Sequence, residues 1–175
     1  MDLMPSHASI AAALLPPTVI LEGFVIQPQQ CCNWCWAAVA ASVSDFLSGA
    51  AAKSQCEIAT ACLGFPCCPP QTGDWRGNEV WGLEDALSAV QHYAAPTPVQ
   101  NITFAMVKQH ISADKRPICC HLNQGEGHFV VISGYIDGPT SEVIVSDPLA
   151  TPVAGTQTFD DLKNKFGWDK YYWVP

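Results

Sequence analysis

Basic side chains are scarce in this chain. Its 175 residues hold eight Lys and Arg against sixteen Asp and Glu, a formal net charge of −8. The few cations form no run, so nucleic acid and anionic membrane surfaces are poor partners for it. Long apolar runs are also missing. The longest, Ile10 to Leu21, is broken by Pro16-Pro17 and falls short of a membrane span. No Lys or Arg precedes that run, so the basic start of a secretory signal is absent. Residues 1–22 read as a leader or pro-segment, and 23–175 as one domain. There is no internal repeat and no low-complexity tract. Charged residues make up only 14% of the chain and apolar ones 49%, enough for a real core.

What the chain has in excess is cysteine. Nine sit at 31, 32, 35, 56, 62, 67, 68, 119 and 120. The odd total predicts four bridges and one free thiol, and so an oxidising compartment. Bridges from Cys31 or Cys32, or from the strand holding Cys119 and Cys120, to the 56–68 region fit this count. Cys62, Cys67, Cys68, Cys119, Cys120 and His121 were weighed as zinc ligands, but adjacent Cys-Cys pairs suit a structural zinc site poorly. No metal and no cofactor is expected.

Periodicity divides the chain. Three- and four-residue apolar spacing predicts helices over 34–48, 54–62, 79–93, 103–113 and 158–166, the first capped by Asn33 and stopped by Gly49. In the third, Val80, Leu83, Leu87 and Val90 form the apolar face, and Glu79, Glu84 and Asp85 a solvated one. β-branched and aromatic runs predict strands over 118–122, 128–135, 142–147 and 171–174. Helices first and strands later indicate an α+β protein, a helical half packed on a twisted antiparallel β-sheet half.

One cysteine stands apart. In Gln29-Gln30-Cys31-Cys32-Asn33-Trp34-Cys35-Trp36-Ala37-Ala38, Cys35 falls in the first turn of the first helix. Unpaired N–H groups and the positive end of the helix dipole gather there and favour an anion such as a thiolate. Gln29, six residues upstream, can return to the same helix end and donate to an oxyanion. The bland alternative is a buried or bridged cysteine among eight others. A thiol nucleophile needs a base. Of the five histidines, at 7, 92, 110, 121 and 128, His128 follows Gly125-Glu126-Gly127 and opens an apolar strand. Asp137-Gly138 signals a two-residue hairpin turn. That turn pairs 136 with 139, Ile132 with Val143, Val131 with Ile144, Val130 with Val145 and His128 with Asp147. A two-residue shift, which Pro139 invites, leaves His128 and Asp147 diagonal on one face. A carboxylate there would orient the imidazole, although Asp before Pro is also a common turn residue. Trp36 is expected to pack over His128 or Asp147 and exclude water. Trp75, Trp81 and Trp168 are expected in the core or the cleft lining.

Cys32-Asn33-Trp34-Cys35-Trp36 resembles the C-G-S/A-C-W signature of papain-like proteases, with Asn33-Trp34 in place of Gly-Ser. The spacing from Gln29 to Cys35 matches as well, and Cys32 falls where that family often places a disulfide cysteine. Gln29 and Cys35-Trp36-Ala37-Ala38 in so short a chain are more similar to the compact bacterial branch, which includes effector proteases and C39-like peptidases. Gly127-His128-Phe129-Val130-Val131 followed by Gly134-Tyr135 resembles the catalytic histidine strand of that branch, and Asp147-Pro148 the Asp-Pro that ends its next strand. The resemblance covers about residues 24–48 and 116–148. It implies a cysteine protease with nucleophile Cys35, base His128, orienter Asp147 and oxyanion donor Gln29. It further implies a secreted or translocated effector or toxin acting on proteins or peptides, with a cognate inhibitor or immunity protein as a further partner. A deamidase, transglutaminase or ligase would use the same residues. A disulfide-rich binding module would instead have Cys35 bridged.

Overall fold

The computed structural model describes residues 16–71, 75–123, 125 and 127–175. The described residues form seven strands and five α-helices. They are β1 (Thr18–Ile20), α1 (Cys35–Ser48), α2 (Gln55–Leu63), α3 (Leu83–Ala89), β2 (Pro96–Pro98), α4 (Phe104–Gln109), β3 (Ile118–Leu122), β4 (His128–Asp137), β5 (Ser141–Ser146), β6 (Gly155–Thr158), α5 (Phe159–Asn164) and β7 (Trp168–Trp173). All the strands pair antiparallel in one sheet, in the order β2-β7-β3-β4-β5-β6. β1 pairs with the far part of β4, Thr18 opposite Ile136 and Ile20 opposite Gly134. A Cβ at Gly134 would come within 2.5 Å of the Val19 carbonyl, so glycine is what lets β1 approach. The described part of residues 1–22 is therefore joined to the sheet, with Leu21 in the core. Residues 1–15 lie outside the described residues.

The sheet is covered on both faces, on one of them by the helical half that the sequence placed against it. Alternate side chains of each central strand point to opposite sides. Cys119, Phe129, Val131 and Tyr172 meet α1, α2 and α3. Ile118, Cys120, Val130, Ile132 and Tyr171 meet residues of α4 and α5. Cys119 and Cys120 are thus both buried, one in each layer. That separation keeps them from sharing a metal or a bridge.

The predicted bridge count is corrected. Among the described residues, Cys56–Cys68 is the one disulfide, and Cys31, Cys32, Cys35, Cys62, Cys67, Cys119 and Cys120 are free. It ties α2 to the loop that follows it. α2 itself begins at a capping box, in which Ser54 and Glu57 bond each other's backbone N–H. The helix predicted over 79–93 shrinks to Leu83–Ala89. Gln91 turns to a φ of 66°, which ends it, and Val80 and Trp81 stay outside, exposed. The helix predicted over 103–113 starts on its Thr103 cap and finishes as a π-helical turn, His110–Asp114. No helix of the described residues is long and apolar enough to cross a membrane.

Candidate active site

Cys35 is the first residue of α1, and the turn before it is braced from several directions. The Trp34 N–H donates to the Cys31 carbonyl at 3.1 Å, which closes a tight turn. Trp34, not Asn33, occupies the cap position, and it makes no side-chain cap bond. Asn33 is used elsewhere. Its N–H donates to Asn78 Oδ1 and its Nδ2 to the Asn78 carbonyl, each at 2.9 Å. The fully buried Trp34 indole donates to the Gly77 carbonyl at 2.7 Å. Trp36, also fully buried, donates to the Glu79 carbonyl at 3.0 Å. It anchors the helix to the segment that carries Glu79. With no side-chain cap and no acidic residue in the first turn, the leading N–H groups of α1 stay available to a bound anion.

His128 opens β4 and Asp147 follows β5. The expected register is wrong in detail. The connection is Gly138-Pro139-Thr140, so Asp137 pairs with Ser141, and a bulge at Ser133 brings Val145 opposite Ile132. Continued along the strands, this register sets His128 diagonal to Asp147 on one face. The diagonal is close enough: His128 Nε2 lies 2.7 Å from Asp147 Oδ1. The Asp147 carboxylate is further held by the Leu149 N–H at 2.8 Å, the Thr151 N–H at 3.1 Å and the Thr151 hydroxyl. Asp147 is thus both a turn residue and the partner of the imidazole. Its side chain is 0% exposed.

The other side of the imidazole meets the Cys35 thiol, which hydrogen-bonds it. Because Asp147 holds Nε2, the nitrogen left for the thiol is Nδ1. Burial opposes a charge on His128, but the hydrogen bond and charge of Asp147, followed by those of Cys35, outweigh it and raise its pKa to about 9. Burial also works against the Asp147 carboxylate. The bonds from His128, Thr151 and Leu149 overcome that and hold its pKa below the ordinary value.

Cys35 and His128 both line a cavity of about 490 Å³. One wall carries Asn33, Val80 and Trp81, and the other His121, Leu122, Phe129, Leu149 and Val153. Val80, Trp81 and Leu149 are exposed and form an apolar rim. The structure thus brings together three of the four residues singled out in the sequence.

Gln29 is near but turned away. Its N–H donates to the Pro148 carbonyl at 3.0 Å, and its side-chain Nε2 donates to the carbonyls of Cys31 at 2.9 Å and Cys32 at 2.5 Å. The amide therefore braces the Cys35 turn, and it borders a smaller neighbouring cavity shared with Cys32 and Leu149. Sequence reasoning missed Thr151, Trp34 and Asn78. Thr151 alone left a readable trace, as a hydroxyl four residues after an Asp-Pro.

A helix that presents a thiol to a histidine–aspartate pair on an antiparallel sheet is the arrangement of a papain-like cysteine peptidase. The sequence profile of the Peptidase C39-like family matches residues 21–173, and the chain belongs to that family. Among solved structures, it is similar to a Bacillus anthracis protein described as a C39-like peptidase, at 14% identity and a TM-score of 0.55, over 89% of this chain and 97% of that one. At that identity the likeness speaks for the fold. No curated protein matches the chain.

Proposed function

We propose that Cys35, His128 and Asp147 act as a catalytic triad that hydrolyses peptide bonds through a thioester. The observation that carries this reading is one imidazole held between a buried carboxylate at 2.7 Å and the Cys35 thiol, beside a cavity with an apolar rim. His128 takes the thiol proton, and Cys35 Sγ attacks the scissile carbonyl carbon. A C–S bond forms, and the carbonyl electron pair moves to oxygen, where the leading N–H groups of α1 stabilise it. The oxyanion collapses, the C–N bond breaks and the amine leaves with the proton from His128. Water, deprotonated by His128, then attacks the thioester and releases the acid and the Cys35 thiol. Gln29 fits the oxyanion role only if one of its N–H groups leaves the Cys31 or Cys32 carbonyl. Its placement better supports the narrower task of bracing the turn.

A role outside the producing cell, as an effector or toxin with a cognate inhibitor, belongs to the same reading. The Cys56–Cys68 bridge supports an oxidising destination.

Alkylation tests the triad. Burial raises the pKa of the Cys31, Cys62, Cys67, Cys119 and Cys120 thiols, which slows their alkylation. Iodoacetamide between about pH 5 and 8 is therefore expected to modify Cys35 fastest, and more slowly in His128→Ala, with cleavage of a peptide mixture lost in step. Slow labelling of Cys35, or no effect of His128→Ala, would sink the triad. Labelling with release of ammonia, or amine incorporation without cleavage, would move the reading to a deamidase or transglutaminase.

A further inference from the structure

The cleft holds a second imidazole–carboxylate pair that the triad does not use. His121, on β3, lines the same cavity as Cys35 and His128. Its Nδ1 lies 2.6 Å from Asp169 Oδ1. The pair is built by an irregularity in the sheet. His121 pairs with Lys170 but Leu122 pairs with Trp168, so Asp169 is the extra residue of a bulge in β7. Bulges re-aim side chains, and this one turns a carboxylate onto the imidazole. The ring is further positioned by Phe129 on β4, with centroids 5.1 Å apart.

Gly127 leaves room for the outer ring nitrogen. It has a φ of 86°, and a Cβ there would come within 2.7 Å of His121 Nε2. The residue just before His128 therefore has no side chain where His121 needs space, and Nε2 sits against the loop that delivers the base. Among the described residues Nε2 has no hydrogen-bond partner. Several other polar groups of the lining are engaged: Asn33 Nδ2 with Asn78, Thr151 with Asp147, and His128 with Asp147. Among the described residues, none that lines the cavity is Lys or Arg.

The chemistry of that nitrogen follows from its partner. A carboxylate accepts, so Nδ1 carries the proton and, in the neutral ring, Nε2 presents a lone pair. Asp169 places a negative charge behind that acceptor, and the whole chain carries a net charge of −8. An acceptor backed by negative charge, in a cleft whose described lining holds no Lys or Arg, matches a cationic donor.

We propose that His121, held by Asp169, is a specificity-determining residue that selects peptides with a Lys or Arg side chain close to the scissile bond. This rests on the peptidase reading of the same cleft. His121 is not assigned to the bond-breaking steps, because Asp147 and Cys35 already engage His128.

Quenched fluorescent peptides carrying Lys, norleucine or Glu at each position around a cleavage site test it, with the full chain. Lys is expected to exceed norleucine by roughly tenfold in kcat/KM at one position, because norleucine keeps the apolar stem and lacks the donor. In His121→Phe that ratio should fall towards one, while the norleucine peptide is cleaved within about threefold of the unaltered rate. His121→Gln, which keeps an acceptor, should retain part of the preference, a result that a purely structural role would not give. It also guards against poor folding of the phenylalanine variant. An unchanged ratio in both variants, or a preference for Glu, would overturn the proposal while leaving the peptidase reading intact. If the unaltered chain cleaves none of the peptides, the peptidase reading falls, and this proposal with it.

Discussion

Two histidine–aspartate pairs line one cleft, with nearly equal bond lengths of 2.7 Å for His128–Asp147 and 2.6 Å for His121–Asp169. Their surroundings differ far more than their geometry. The Asp147 side chain is 0% exposed and that of Asp169 36%. Asp147 also gathers the Leu149 N–H and two groups of Thr151, whereas Asp169 has His121 as its one hydrogen-bond partner among the described residues. The first carboxylate is locked by its own turn and can hold an imidazole in a single orientation through a reaction cycle. The second stands at a bulge open to solvent, where it can adjust to whatever enters. Distance alone therefore does not separate the proposed orienting pair from the proposed recognising one. Burial and the number of donors satisfied do.

Removing the carboxylates should give the largest contrast. Asp147→Ala strands three donors besides His128, and should lower kcat/KM by roughly 10²–10⁴-fold and stability by about 3 kcal/mol. Asp169→Ala should cost no more than about 1 kcal/mol and leave the alkylation rate of Cys35 intact. Urea unfolding of the two variants, side by side, measures this. Equal losses would break the comparison.

A pH series should show a smaller effect. The pKa of His128 is raised in the folded protein from its ordinary 6.5 to about 9. The stability this contributes is fully present below the unfolded value and is lost as pH rises through the folded one. The gap in Tm between the unaltered protein and His128→Gln should therefore narrow between these two values, by several degrees. Differential scanning fluorimetry across that window checks it, and a gap that widens with pH would contradict the assigned partners. Thr151→Val, which deletes the hydroxyl's bond to Asp147 and the one it accepts from the Val153 N–H, should have the smallest effect, about 1 kcal/mol of stability, seen as a lowered urea midpoint with the slope unchanged.

The elements that position the site were legible wherever local patterning matched tertiary packing. α1 and β3 fall where periodicity placed them. Asp147 could be paired with His128 because opposite faces of a strand alternate, and parity survived a wrong register. The register itself was hidden. A three-residue connection and the bulge at Ser133 depend on β1 and β5 both pairing with β4, which no local pattern records. β6 was missed because Gly-Thr-Gln-Thr is a polar edge, and β2 because Pro-Thr-Pro reads as a loop. Val80 fitted the apolar face of a helix, yet the helix begins after it and Val80 became part of the cleft rim. Bridge counting failed because seven of the nine cysteines stay free, Cys119 and Cys120 among them in separate layers of the core. The asparagine clamp joins residues 45 apart in sequence, so spacing could not reveal it, whereas the bent-back amide of Gln29 is a local contact with the Cys31 and Cys32 carbonyls that the apolar pattern does not record.

The clamp between the Cys35 turn and residues 77–79 has a consequence for how such a protein can diversify. The stretch that anchors the Cys35 turn through Gly77, Asn78 and Glu79 runs directly into Val80 and Trp81 of the rim. Its anchoring contacts use backbone carbonyls and one asparagine, whereas the rim offers only side chains. Replacements at 80 and 81 can therefore retune what the cleft accepts while the reactive sulfur keeps its seat, so that new preferences can be explored without rebuilding the chemistry.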